Sequence, residues 1–246
     1  MEATSIYGPI VELRQYTLHP GQRDTLIDLF EREFIEGQES TGMGLIGQFR
    51  DLDDPDRFVW LRAFKDMTTR AEALQRFYSG PIWQANRGEA NATMIDSDNV
   101  LLLHVATPDS NFAPVDAPRA ATDAKGPGPG VVSVNIYYFD RGREREFVSF
   151  FERRMQPLLR EAGIAVCASF VTETSANNFP GLPVRDKEFV FVWFAKFGSE
   201  AERAERLQRL QRSSNWASIE QQLPSWFARS PESLRLEPTA RSQLHG

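Results

Sequence analysis

The sequence predicts an α+β fold made of two tandem βαββαβ repeats, whose sheets pack face to face as a barrel within one chain. Residues 11–16 alternate apolar and polar side chains, which is the period of a strand with two different faces. Helical and strand patterns follow them in the order α-β-β-α-β. After a stretch rich in proline and glycine, the same order returns. Two repeats in one chain can cover each other's bare sheet faces.

The composition is that of an ordinary globular protein, with 41% hydrophobic and 25% charged residues among 246. A net charge of −6 without a basic run argues against nucleic acid as a partner. No apolar run reaches the length of a membrane span, and residues 1–9 lack the features of a signal peptide, so we expect a cytoplasmic protein. The single cysteine, Cys167, excludes a disulfide within the chain.

The first repeat is predicted over residues 8–105. Leu26, Leu29, Phe30 and Phe34 recur at helical spacing and form the apolar stripe of its first helix. We expect strands over residues 11–16, 45–50, 58–64 and 100–105, and helices over residues 22–34 and 68–78. This order is the split βαβ arrangement called ferredoxin-like.

Residues 106–130 are predicted to be a linker because proline, alanine, aspartate and glycine dominate them. The glycines of residues 126–130 alternate with prolines and show no phosphate-binding motif. Residues 238–246 are expected to form a loose tail.

The second repeat, over residues 131–237, follows from matches at two constant spacings. Gly142 matches Gly21, 121 residues earlier, and Trp216 matches Trp83, 133 residues earlier. The difference between these spacings predicts an insertion within residues 172–187. At a barrel mouth such a loop acts either as a lid or as a tolerated surface insertion, and the sequence leaves both open.

Strand parity predicts which side chains line the space between the two sheets. Val59, Leu61 and Ala63 suit the helix side, which assigns the alternate residues to the barrel interior. The expected lining residues are Glu12, Arg14, Tyr16, Phe58, Trp60, Arg62 and Phe64 from the first repeat, and Asn135, Tyr137 and Trp193 from the second. An apolar hollow with a few polar groups is typical of a small-molecule site.

The pattern Glu12-Leu13-Arg14-x-Tyr16-x-Leu18-x-Pro20-Gly21, the helix after it and the later Trp83 resemble the NIPSNAP family. The second repeat is less similar, since Ser133 and Asn135 replace Glu12 and Arg14. The resemblance implies a fold of the dimeric α+β barrel superfamily, here built by one chain. It also implies that the first strand lies between the third and fourth, near Arg62 and His104. Related barrels include cofactor-free monooxygenases, isomerases and haem enzymes, so the fold alone does not assign an activity.

The charged residues of the first repeat are candidates for catalysis. Arg14 and Arg62 suit a carboxylate, phosphate or enolate oxygen, Glu12 suits a general base, and Tyr16 suits a hydrogen-bond donor to developing negative charge. The alternative is that Glu12 and an arginine neutralise each other as a structural ion pair. His104, at the end of a run of leucines, is more typical of a structural histidine.

No metal-ligand spacing or nucleotide-binding motif occurs, so we expect neither a metal nor another cofactor. The prediction is a cofactor-independent enzyme acting on a small, partly aromatic, anionic metabolite, through proton transfer (isomerase or lyase) or monooxygenation. The alternative is a non-catalytic protein that binds a small molecule or acts as a protein-interaction adaptor. The sequence does not name the substrate, and it leaves open whether the chain forms a homodimer or a higher homo-oligomer.

Overall fold

The computed structural model describes residues 7–113, 115 and 117–246, and the strands of this part of the chain form one closed antiparallel barrel. Residues 1–6, at the start of the segment searched for a signal peptide, and Pro114 and Asp116 of the predicted linker lie outside the described residues. No helix of the described part is both long enough and apolar enough to cross a bilayer.

The two repeats have the same order of helices and strands. The first contains β1 (Ile10–Leu18), α1 (Arg23–Leu29), a π-helical turn (Phe30–Phe34), α2 (Ile35–Glu39), β2 (Gly44–Asp51), β3 (Arg57–Phe64), α3 (Met67–Ser79), α4 (Pro81–Thr93) and β4 (Met94–Val105). The second contains β5 (Val131–Phe139), α5 (Arg143–Phe150), a π-helical turn (Phe151–Met155), α6 (Gln156–Glu161), β6 (Val166–Thr172), β7 (Phe189–Phe197), α7 (Glu200–Gln211), α8 (Ser214–Gln222), a short 3-10 helix (Leu223–Ser225) and β8 (Arg229–Pro238). The predicted tandem fold is therefore confirmed.

The strand order around the barrel is β1-β3-β2-β8-β5-β7-β6-β4. Each repeat contributes a four-stranded sheet, and the two sheets meet along two short seams. The β2–β8 seam pairs residues 49–51 with residues 236–238, and the β4–β6 seam pairs residues 103–105 with residues 170–172. Closure of the barrel through these seams pairs the edge strands of the two described sheets with each other.

The register of the central strands repeats between the two halves. Glu12 lies opposite Arg62 on β1 and β3, and Ser133 lies opposite Ala195 on β5 and β7. These pairs have the same two spacings of 121 and 133 residues that the sequence shows. The second repeat is thus a structural copy of the first in which the charged side chains are absent.

The barrel interior is filled by apolar side chains from both repeats. Its core includes Val11, Leu13, Val59, Leu61 and Ala63 from the first repeat and Val132, Val134, Val190, Val192 and Phe194 from the second. The prediction of which strand face lines the barrel interior is therefore wrong, because the aliphatic residues face the lumen.

The larger aromatic side chains lie between each sheet and its own helices. Phe58, Trp60 and Phe64 pack under the helices of the first repeat. Tyr137 and Trp193 pack under the helices of the second. Residues predicted to meet in one chamber are thus divided between two layers on opposite sides of the barrel.

The linker and the C-terminal residues are fixed against the barrel. Phe112 joins the lumen core, and the side-chain amide of Asn111 donates to the carbonyl of Tyr7 at 2.9 Å. Leu244 also enters the lumen core, and Arg241 is buried against Glu31 and Glu36. The expectation of a loose tail is wrong, since the tail covers one end of the barrel.

Cys167 lies at the edge of the lumen core and is partly buried. Burial raises the pKa of its thiol to about 12. The thiol is therefore protonated at neutral pH and weakly reactive.

Candidate functional site

A buried charged cluster lies between the sheet and the helices of the first repeat, and we call it the arginine cluster. It consists of Glu12 and Arg14 on β1, Arg62 on β3 and Arg70 on α3. The exposed fraction of each of these side chains is 1% or less. Cross-strand pairing places Glu12 opposite Arg62, and the alternation of β1 places Arg14 on the same face.

The carboxylate of Glu12 is shared by the three arginines. Its Oε2 accepts from Arg14 Nη1 at 2.7 Å and from Arg62 Nε at 2.8 Å. Its Oε1 accepts from Arg70 Nε at 2.7 Å. Nη2 of Arg62 and Nη2 of Arg70 also lie 2.7 Å from the carboxylate, but their N–H groups are poorly directed for hydrogen bonds.

The cluster has a net charge of +2, because one carboxylate faces three guanidinium groups. Burial alone would raise the pKa of Glu12, but the charges of Arg62, Arg14 and Arg70 hold that pKa well below its usual range. A carboxylate with such a low pKa is a poor proton acceptor. The predicted role of Glu12 as a general base is therefore wrong for this physical reason. The contacts of Glu12 indicate that it holds the three arginines in place.

The lowered pKa of Glu12 predicts how stability depends on pH. Folding lowers the pKa of the Glu12 carboxyl from its unfolded value of 4.5. The ionised carboxylate therefore contributes its full stability at pH values above 4.5, and this contribution is lost as the pH falls from 4.5 toward the folded pKa. We expect the difference in unfolding free energy between wild type and Glu12→Gln to shrink by up to about 1.4 kcal/mol per pH unit below that point. Urea unfolding between about pH 3 and 7 measures this difference. A difference that is constant with pH would contradict the assignment.

A small cavity of about 30 Å³, bordered by aromatic rings, adjoins the cluster. Its walls include Tyr16, Phe30, Phe34, Gln38, Trp60, Phe77, Tyr78 and Trp83. The guanidinium of Arg62 lies 5.0 Å from the Trp60 ring centroid, and that of Arg14 lies 5.4 Å from it. Arg14 and Arg62 therefore lie directly behind the wall of the apolar cavity that Trp60 forms.

Tyr16 connects the cluster to the cavity. Its hydroxyl oxygen accepts a hydrogen bond from Arg14 Nε at 3.0 Å, so its own proton is not used in that contact. Burial raises the pKa of Tyr16, which keeps the phenol protonated at neutral pH. The proton of the hydroxyl therefore remains available for a hydrogen bond to an oxygen of a molecule in the cavity.

The structure brings some of the predicted site residues together and separates others. Glu12, Arg14, Tyr16, Trp60 and Arg62 form one site, but under the helices and outside the lumen. Phe58 and Phe64 share that layer without lining the cavity.

His104 and the three predicted residues of the second repeat lie elsewhere. His104 pairs with Ile10 of the first strand, as the resemblance implied. Its ring forms a hydrogen bond with the carbonyl of Val105 and not with the cluster. Asn135, Tyr137 and Trp193 belong to the helix-facing side of the second repeat. The prediction that they share a chamber with Glu12 is wrong.

Sequence reasoning missed Arg70, which completes the cluster. Arg70, Leu74 and Phe77 share one buried face of α3 at helical spacing. An arginine on the apolar stripe of a helix was the signal that could have found it. Gln38, which accepts from Arg62 Nη1 at 3.0 Å and lines the cavity, gave no comparable signal.

The second repeat shows how the same layer is built without the cluster. Ser133, Asn135 and Ala195 stand where the first repeat has Glu12, Arg14 and Arg62. Arg203, the equivalent of Arg70, donates to Ser133 Oγ at 2.7 Å and pairs with Glu200 at 3.1 Å. The fold therefore does not require a charged cluster at this position.

The sequence of the first repeat matches a known family. Residues 11–108 match the family model of NIPSNAP. No curated protein matches the chain significantly. Among solved structures, an uncharacterized NIPSNAP-like domain protein from Burkholderia xenovorans is 27% identical, with 43% of this chain and 90% of that chain covered and a TM-score of 0.39.

Two solved structures match nearly the whole chain. A putative monooxygenase from Lactobacillus acidophilus NCFM is 11% identical, with 96% of this chain and 97% of that chain covered and a TM-score of 0.55. An anthrone oxidase-like protein is 12% identical, with 98% of both chains covered and a TM-score of 0.56. At these identities the likeness shows the fold, an α+β barrel of tandem ferredoxin-like repeats. Within this barrel, residues 11–108 match the NIPSNAP family model.

Proposed function

We propose that the first repeat binds a small aromatic molecule with an ionisable oxygen and stabilises its anion for cofactor-independent chemistry. The molecule would occupy the aromatic cavity after the surrounding ring side chains move apart to enlarge it, with its oxygen near Tyr16 and Arg14. The buried net charge of +2 is the observation that carries this proposal, since the second repeat folds without it.

The cluster would activate the molecule by lowering the pKa of the molecule's own acidic group. An opposite charge within about 4–6 Å lowers the pKa of an acid by about 1–3 units. Among the described residues that line the cavity, none is a carboxylate or a histidine that could act as a base. Ionisation of the bound molecule, with the proton passing to water, suits these surroundings better than proton abstraction by a side chain.

The names of two structural neighbours suit such chemistry. The anion of an enol or phenol is electron-rich and can react directly with O₂. Anthrone, the compound class in one of those names, becomes anthraquinone when O₂ adds one oxygen atom to its CH₂ carbon and the other leaves as water. We propose this kind of monooxygenation, and proton-transfer reactions through the same anion, as the activities to test.

The binding step can be tested with 4-nitrophenol, whose phenolate absorbs visible light. We expect the pKa of 4-nitrophenol bound to the wild-type protein to lie about 1 unit or more below that of the free probe. Arg14→Gln should remove most of this shift, because it takes one charge from the cluster. Arg203→Gln, which removes one positive charge from the second repeat, should leave the shift unchanged. A bound probe with an unshifted or raised pKa would contradict the proposal.

Turnover requires a separate measurement. Oxygen uptake with anthrone, in the presence of a metal chelator, should be faster with the wild-type protein than with Arg14→Gln. The saturated hydrogen bonding of Glu12 favours a second candidate, a protein that binds an aromatic anion without converting it. Binding of 4-nitrophenolate without any oxygen uptake or substrate loss would support that second candidate.

A further inference from the structure

The loop of residues 173–188, between β6 and β7, lies over the site of the other repeat. Its backbone is fixed at both ends to β4, where the amide of Glu173 donates to Leu102 O and the amide of Arg185 donates to Val100 O, each at 2.9 Å. Between these points, Leu182 and Val184 pack against the helix-side core of the first repeat. The corresponding loop of the first repeat, residues 52–56, is much shorter.

Two asparagines of this loop bind the outer side of Arg70. Nη1 of Arg70 donates to Asn177 Oδ1 at 3.1 Å and to Asn178 Oδ1 at 2.8 Å. The amide nitrogens of both asparagines are also engaged, that of Asn177 with Leu182 O and that of Asn178 with Met67 O. These contacts fix which amide atom faces the arginine.

The loop also closes the side of the cavity beside Tyr78. The ring of Phe179 lies 6.0 Å from the ring of Tyr78, centroid to centroid. Tyr78 lines the cavity and lies 5.9 Å from the Arg62 guanidinium. The second repeat therefore covers both the cluster and one wall of the cavity.

An amide oxygen satisfies an arginine without cancelling its charge. Arg203, which occupies the equivalent position in the second repeat, is instead paired with the carboxylate of Glu200. The contrast shows what a carboxylate at residue 177 or 178 would do, since it would lower the net charge of the arginine cluster from +2 to +1.

We propose that Asn177 and Asn178 are positioning residues which hold Arg70 in place while leaving the arginine cluster positively charged for an anionic ligand. The second repeat thus supplies a specificity determinant to a site on the first. This inference rests on the function proposed above, and it goes beyond that function by assigning a role to the insertion.

Asn178→Asp tests the inference because it keeps the shape and the hydrogen bond to Arg70 and adds a negative charge, while it gives up the hydrogen bond from Asn178 Nδ2 to Met67 O. We expect the variant to bind 4-nitrophenolate about tenfold more weakly and to raise the pKa of the bound probe, since one cluster charge is cancelled. Asn99→Asp is the matched control. Asn99 Oδ1 accepts from Arg185 Nη1 at 3.0 Å, which is another asparagine–arginine pair outside the site.

A second measurement needs no ligand. A buried charge without a counter-charge costs free energy, so the ionised carboxylate of Asn178→Asp should stabilise the free protein. The lost bond to Met67 O does not depend on pH, so the melting temperature of the variant relative to wild type should rise by about 2–4 °C from about pH 3 to about pH 7, the equivalent of about 1 kcal/mol for a chain of this size. The Asn99→Asp control should show a smaller rise.

The two measurements separate the two proposals. If wild type binds no probe but the melting temperature of Asn178→Asp relative to wild type rises with pH as expected, the proposed function fails and the inference about uncancelled charge stands. If wild type binds the probe and Asn178→Asp binds it equally well, or if the melting temperature of Asn178→Asp relative to wild type does not rise between about pH 3 and about pH 7, the inference is overturned.

Discussion

Glu12→Gln is expected to lower the free energy of unfolding by about 3–5 kcal/mol at neutral pH, because it leaves three buried arginines without their shared counter-charge. Oε1 and Oε2 of Glu12 together accept hydrogen bonds from all three arginines. Glutamine keeps the size of the side chain but can offer only one acceptor oxygen and no charge. Urea unfolding at neutral pH measures the change.

The second repeat provides the control for this variant. Ser133, at the equivalent position, accepts one hydrogen bond from Arg203. Ser133→Ala should therefore cost only about 1 kcal/mol. If the two substitutions destabilise the protein to a similar extent, the contacts of Glu12 contribute less than the geometry indicates.

Copying the second repeat into the first is expected to separate stability from binding. The triple variant Glu12→Ser, Arg14→Asn and Arg62→Ala removes the carboxylate together with two of its arginines. Arg70 then stands beside a serine, as Arg203 stands beside Ser133. Buried ion pairs can often be replaced with little loss of stability, provided that no partner is left alone.

We therefore expect the triple variant to be more stable than Glu12→Gln, although it carries two more substitutions. We also expect it to lose the pKa shift of bound 4-nitrophenol, because a net charge of +2 falls to +1 and the contact between Arg14 and Tyr16 is gone. Urea unfolding and probe titration on the same samples measure both properties. A triple variant that still lowers the pKa of the probe would show that the cluster does not act on the ligand.

Much of the fold could be predicted from the sequence because it depends on repeated patterns. The two spacings predict that the order of helices and strands repeats, and both spacings separate the strand pair Glu12–Arg62 from the pair Ser133–Ala195. The side of the sheet that each strand face occupies could not be predicted in the same way. Both faces of these strands are buried, so the polar–apolar alternation that normally marks the solvent side is lost.

The site was predicted in part for the same reason. Four site residues could be predicted because they lie on neighbouring strands, where strand pairing places them within reach of each other: Glu12, Arg14, Tyr16 and Arg62. Arg70 comes from a helix packed on the same sheet, whereas Asn177 and Asn178 come from a distant loop whose contact with Arg70 depends on how the two repeats dock. Local periodicity contains no information about that docking.

The joining of both repeats in a single chain has a consequence for how such a barrel can vary. In a dimer of identical subunits, every substitution appears twice, once on each side of the symmetry axis. Here each position occurs once. One half can therefore lose its ionic groups and lengthen a hairpin while the other retains its charges, and the resulting asymmetric molecule needs no second gene product to assemble.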